Sequence, residues 1–302
     1  MKDKVLVGAM LGLVVTVLAI QCTQNTRHSS ITYPVPSPDS TALRFLPGIV
    51  SRDSLDFNSA FSRDGSQFYF ARSAKGKWII YVTEWKDGAW SKPVPAPFTE
   101  PEYSQADPFV ARDGAIYYIS NRPRHMTDTT ADFDIWFVRP QRDGSWSKPE
   151  NLEAVNSDST EYYVSLADNG NVYFASNRAG GVGDLDIYVS RYADGKYSTP
   201  ENLGVAINSP QMEHDPMIAS DEGYMIFTSV DRNDSKGSGD LYYSVRNPDG
   251  TWSEAKNMGS EVNTNTYEYC SYLTPDGKYL FFSSDFDVKW ISTKALSFIP
   301  RQ

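Results

Sequence analysis

Five times along the chain a polar turn containing glycine leads directly into a short block of aromatic and aliphatic residues. The pairs are Arg63-Asp-Gly65 with Gln67-Phe-Tyr-Phe70, Arg112-Asp-Gly114 with Ile116-Tyr-Tyr-Ile119, and Asp168-Asn-Gly170 with Val172-Tyr-Phe174. Asp221-Glu-Gly223 with Tyr224-Met-Ile-Phe227 and Pro275-Asp-Gly277 with Lys278-Tyr-Leu-Phe-Phe282 complete the set. Apolar blocks this short, bounded by turn residues, predict strands. No stretch after residue 22 carries a convincing helical period.

A second anchor follows each of the first four blocks: Asp87-Gly-Ala-Trp-Ser-Lys-Pro93, Asp143-Gly-Ser-Trp-Ser-Lys-Pro149, Asp194-Gly-Lys-Tyr-Ser-Thr-Pro200 and Asp249-Gly-Thr-Trp-Ser-Glu-Ala255. The turn glycines Gly65, Gly114, Gly170, Gly223 and Gly277 are separated by 49, 56, 53 and 54 residues. That period suits a four-stranded sheet per repeat, which is a β-propeller blade. In the second repeat, residues 107–111 predict an inner strand, 115–120 a second and 134–138 a third. An outer strand then begins at the Trp-Ser-Lys-Pro anchor, where Pro149 suits an edge. The anchor aromatics can fill the wedge between blades.

The fifth repeat stops without its Asp-Gly-x-Trp-Ser-x-Pro strand, while residues 43–50 form an orphan strand-like segment ahead of the first. If that segment supplies the missing outer strand, the ring closes and leaves no free edge. The expectation is an all-β propeller of five four-stranded blades over residues 43–302, closed by an N-terminal strand. A sixth blade would have no sequence to build it.

Ahead of the propeller, a short basic start precedes an apolar run over residues 5–20, too short to span a bilayer comfortably. Residues 1–21 therefore read as an export signal. Cys22, directly after the run, resembles the acylated cysteine of the bacterial lipobox, although Gln21 stands where that motif carries a small residue. An uncleaved signal anchor is the rival reading. Residues 22–42, polar and rich in Pro and Ser, read as the lipidated cysteine and a tether, with His28 a solvated linker residue.

Composition narrows the chemistry. The 302 residues carry 28 Lys and Arg against 38 Asp and Glu, a net charge of −10, which argues against a nucleic-acid partner. Cleavage before Cys22 removes Lys2, Asp3 and Lys4, a net +1, leaving −11. Two cysteines and three histidines offer neither a disulfide scaffold nor a His-rich metal centre, and no cofactor or metal is called for. Nucleophile elbows, Cys/His pairs and phosphate loops are absent. The segment 231–240 has alternating oxygen ligands like a calcium loop, but Lys236 occupies the glycine position and Tyr242 the terminal acid. Asp249-Gly-Thr-Trp252 is a similarly partial match to the sialidase Asp-box.

The third repeat contains Ala175-Ser-Asn-Arg-Ala-Gly-Gly-Val-Gly-Asp-Leu-Asp-Ile-Tyr188, the second Ser120-Asn-Arg-Pro123 with Asp132-Phe-Asp-Ile-Trp136, and the fourth Gly237-Ser-Gly-Asp-Leu-Tyr242. With the Asp-Gly turns, these resemble the TolB-type, WD-repeat-like propeller repeats of bacterial envelope proteins over about residues 43–297. The resemblance implies a propeller and an envelope location, periplasmic or outer-membrane. It does not imply one activity, because the fold hosts binders and enzymes.

Aligning the repeats gives one polar column just before the innermost strands: Asp56, Gln105, Glu161, His214 and Glu268, with Glu213 beside His214. As channel-mouth residues they would bind a ligand; as a repeat feature they would pair with neighbouring backbone. The arginines of the Ser-Asn-Arg triplets recur with Asp134, Asp186 and Asp240, predicting a braced hairpin. Cys270, on an inner strand, reads as a small buried filler. The functional expectation is a non-enzymatic, membrane-anchored binding or scaffold module whose partner is an envelope protein or a glycan. The alternative is a polysaccharide hydrolase or lyase using carboxylates at the channel, with Glu161 and Glu268 the residues to test.

Overall fold

The computed structural model describes residues 31–52 and 54–297. The expected export signal and Cys22 lie outside those residues. Within them the chain forms five antiparallel blade sheets, one per repeat, and a two-stranded hairpin, Tyr192–Ala193 with Lys196–Tyr197. The inner strands are Asp56–Phe61, Gln105–Val110, Glu161–Leu166, Met212–Ile218 and Tyr269–Leu273. Each inner strand contacts the next, and the fifth contacts the first, so the sheets close into a ring. A 3-10 turn, Thr293–Ala295, is the only helical element among the described residues.

Closure is as the sequence predicts. Leu43–Arg44 pairs with Asp287–Ser292 as the outermost strand of the fifth blade, in the register Leu43 opposite Trp290. Phe45 follows, fully buried against Phe61, Phe68, Trp90, Phe281 and Trp290. Of the tether expected over residues 22–42, residues 22–30 lie outside the described part of the chain. Ile31 and Tyr33 already pack on the seam between the first and last blades, and the Tyr33 hydroxyl donates to Asp276 at 2.8 Å. These two apolar side chains are enough to dock a segment that composition alone marks as linker.

The core is divided among the wedges between blades. Five clusters each combine two neighbouring sheets, and a sixth surrounds the axis. The anchor aromatics fill these wedges: Trp90, Trp146, Tyr197 and Trp252 each join a different one. The anchor serines then end the ladder. Ser147 and Ser253, for example, accept the backbone N–H of Arg139 at 3.0 Å and Val245 at 3.1 Å. The outermost strands prove to be only two residues long, beyond the anchor: Val94–Pro95, Glu150–Asn151, Glu201–Asn202 and Lys256–Asn257. Asn156, Asn208 and Asn263 compensate, each clasping both backbone groups of Ile135, Ile187 or Leu241 on the third strand.

Neighbouring blades also touch backbone to backbone. A Cβ on Gly183 would lie 2.0 Å from the Gln211 carbonyl oxygen, and one on Gly237 1.9 Å from that of Thr266. Only glycine permits the two equivalent crossings.

Candidate functional site at the channel mouth

The polar column expected at the channel is placed inside the sheets. Asp56, Glu161, Glu213 and Glu268 are fully buried and Gln105 is 1% exposed. Glu161 accepts hydrogen bonds from the Ser157 amide and hydroxyl, from Ser176 and from Arg178. Glu213 repeats the set with Ser209, Ser229 and Arg232, and Glu268 with Thr264, Thr266 and Ser284. Asp56 takes Arg72 and Ser54. Gln105, which has no charge to offer, accepts the Glu100 amide, and Arg122 pairs instead with Glu100 at 2.6 Å. The fourth member of the column is thus Glu213, and His214 belongs one place further on.

The hairpin brace is also repartitioned. Arg178 and Arg232 bind the column glutamates, not Asp186 and Asp240, and lie over the aromatic faces of Phe174 and Tyr188, and of Phe227 and Tyr242. Asp186 and Asp240 instead gather loop amides: Gly183 donates to one and Lys236 and Gly237 to the other, at 2.8–3.0 Å. Asn202 and Asn257 complete the two sets. All of this is wall construction.

The residues that face the axis come one and two positions later. In every blade the inner strand bulges, and the residue at the bulge is left-handed: Asn58 (φ 62°), Asp107 (55°), Tyr163 (46°), Asp215 (54°) and Cys270 (52°). Asn and Asp tolerate this conformation best, and a bulge re-aims side chains. The ring is stitched from blade to blade. Asp107 N–H donates to Asn58 Oδ1 at 3.2 Å, Cys270 N–H to Asp215 Oδ2 at 3.0 Å, and the Tyr163 hydroxyl crosses to the Ser271 carbonyl at 2.7 Å. Asn and Asp in mid-strand were a readable signal, since strands are poor in both.

All five inner strands contribute to one cavity of about 680 Å³. Its polar lining includes Asp107, Asp215, His214, Ser238, Thr266 and Asp285, and its walls include Phe57, Trp78 and Tyr269. His214 Nδ1 lies 3.0 Å from Asp215 Oδ1, and its Nε2 lies 2.6 Å from the Tyr267 hydroxyl. A carboxylate only accepts, so Nδ1 carries a proton and donates to Asp215. Burial, reinforced by the nearby charge of Asp215, pushes the Asp107 carboxyl well above the usual range. Burial acts on Asp215 in the same direction but is outweighed by His214 and by the Cys270 thiol and amide, which hold it below. Burial and these two acids drive the Cys270 thiol up, so it stays protonated. Cys270 is buried, as expected, but it hydrogen-bonds to Asp215 rather than only filling space.

Ring and cavity define a five-bladed β-propeller with an axial pocket open to solvent at one mouth. No family model matches the chain, and no curated protein does. Among solved structures it is similar to a glycoside hydrolase, with TM-score 0.55 at 11% identity over 84% of this chain and 93% of that one. It is also similar to a thermostable family-43 glycoside hydrolase, with TM-score 0.52 at 14% identity over 86% and 91%. TolB from Acinetobacter baumannii aligns with TM-score 0.46 at 11% identity over 79% of this chain and 54% of its own. Likeness at such identities is a likeness of fold.

Proposed function

We propose that this protein is an envelope-anchored propeller that binds a ligand in the axial cavity without turning it over. The observation that supports this reading is the cavity itself. It is of small-molecule size, walled by aromatic side chains, and holds a few convergent polar groups contributed by different blades. Export and acylation at Cys22, with attachment through the short segment before Ile31, belong to the same proposal.

Hydrolysis is the second reading, and one observation favours it: two carboxyl groups from different blades, Asp107 and Asp215, line the same cavity. Glu161 and Glu268 are poor candidates for that chemistry because both are fully buried and committed to hydroxyl and amide donors. A glycan panel assayed for reducing ends separates the readings. Binding without turnover is the expected result; turnover that Asp107→Asn abolishes would establish the hydrolase. The anchor is tested by fractionation, with Cys22→Ala expected to move the protein from the membrane to the soluble fraction.

A further inference from the structure

We infer that the axial cavity takes a small organic cation, an alkylated ammonium group carried on an apolar body. This rests on the ligand-binding reading above and adds the chemical class.

Two independent features of the cavity converge on that class. One is its aromatic wall. Tyr267 meets Tyr269 with ring centroids 5.6 Å apart, and Tyr269 meets Phe57 at 6.2 Å. Phe57 meets Trp78 at 5.8 Å, Trp78 stacks on Phe133 at 5.2 Å, and Phe133 on Tyr162 at 5.5 Å. Six rings from four blades thus form one unbroken arc, and all but Phe133, which bridges Trp78 and Tyr162, line the cavity. Aromatic faces are negative at the centre and attract an ammonium, most strongly where water is excluded.

The other feature is the charge at the base of the arc. Asp107 and Asp215 are each 6% exposed, and both line the cavity. Asp215 has His214 beside it, but Asp107 has no cationic partner among the described residues. No Lys or Arg is among the lining residues; Lys289 is taken by Asp285 at the rim. A buried carboxyl facing an apolar cavity with no counter-charge is costly, and a cation seated there removes that cost. An anion would meet Asp107, Asp215 and Asp285 and the negative faces of the rings. A neutral ligand would stack on the arc but gain nothing from the charge Asp107 can develop.

The groups facing Asp107 are Asp215, Asn58, Tyr162, Tyr163, Tyr269 and Cys270, and none of them carries positive charge. Cation binding would therefore draw a proton from Asp107, and affinity should rise with pH.

Choline and dimethylbutanol, its uncharged carbon isostere, test the assignment by calorimetric titration of the full chain. Choline is expected to bind at least about tenfold more tightly than the isostere. Asp107→Asn should remove most of that preference while leaving the weak binding of dimethylbutanol unchanged, and Trp78→Ala should weaken both. Unchanged far-ultraviolet dichroism and melting would show that the variants are folded. Equal affinity for the two probes, or choline binding unaffected by Asp107→Asn, overturns the cation assignment and leaves the ligand-binding reading intact. Failure of choline to bind also overturns it; binding of a neutral glycan in that case would keep the broader reading, and an inert cavity would sink both.

Discussion

At the scale of single residues, the same side-chain chemistry serves opposite purposes at adjacent positions. Glu161 and Asp107 are both buried acids near the start of an inner strand, yet Glu161 faces hydroxyls, an amide and Arg178, whereas Asp107 faces a cavity. Alternation along a strand separates the two roles, and the bulge adds the extra turn that aims the third residue at the axis. The recurring column was legible because it repeats; its burial was not, because spacing does not say which face of a strand meets the axis. His214 lies one residue beyond the column, and that single step takes it from the wall to the pocket. Wall and pocket can be told apart by mutation. Glu161→Ala leaves Arg178 and two serines without their acceptor and should cost about 3–5 kcal/mol in chemical denaturation. Choline affinity should be unchanged, because Glu161 has no access to the cavity.

At the scale of elements, the third and fourth blades show the rule and the second shows the exception. In the first two, Asp186 and Asp240 are satisfied by loop amides and an asparagine. The second blade replaces that tight loop by a longer one, residues 121–133. Asp134 then keeps only Asn151 and Arg124, both at 3.4 Å, and its Oδ1 is buried without a partner. The difference could be read as loop length, but not its electrostatic result. Burial raises the Asp134 carboxyl from 3.8 to about 7, against the pull of Arg124. The folded state then holds a proton that the unfolded chain releases near pH 4, so stability falls as pH rises from about 4 to about 7 and is flat beyond. Asp134→Asn removes this titration. It should raise stability by on the order of 1 kcal/mol at pH 8, after solvent screening, and flatten melting temperature against pH over that window.

At the scale of the whole molecule, five near-equivalent sheets have no reason to choose a beginning, and the chain chooses one by closing on itself. Turn glycines and anchor aromatics made the number of blades countable, and the missing outer strand made the closure predictable. What escaped was contact between segments remote in sequence: the docking of Ile31 and Tyr33 and the aromatic arc, neither of which follows a period within one repeat. Closure fixes how the ring fails. Phe45 touches residues of the first and last blades at once, and Arg44 pairs with Asp287 at 2.8 Å. If this seam holds the ring shut, weakening it should lower the stability of the whole propeller rather than fray one edge. Phe45→Ala, which opens a cavity in the aromatic cluster joining the two blades, should cost about 3–5 kcal/mol and lower the urea midpoint in a single transition. Tyr33→Ala removes a half-buried ring and one exposed hydrogen bond and should cost only about 1–2 kcal/mol. Intrinsic fluorescence and far-ultraviolet dichroism should report the same midpoint for Phe45→Ala. Two separated transitions would mean that the fifth blade detaches on its own and that the strand closes a local edge instead of the ring.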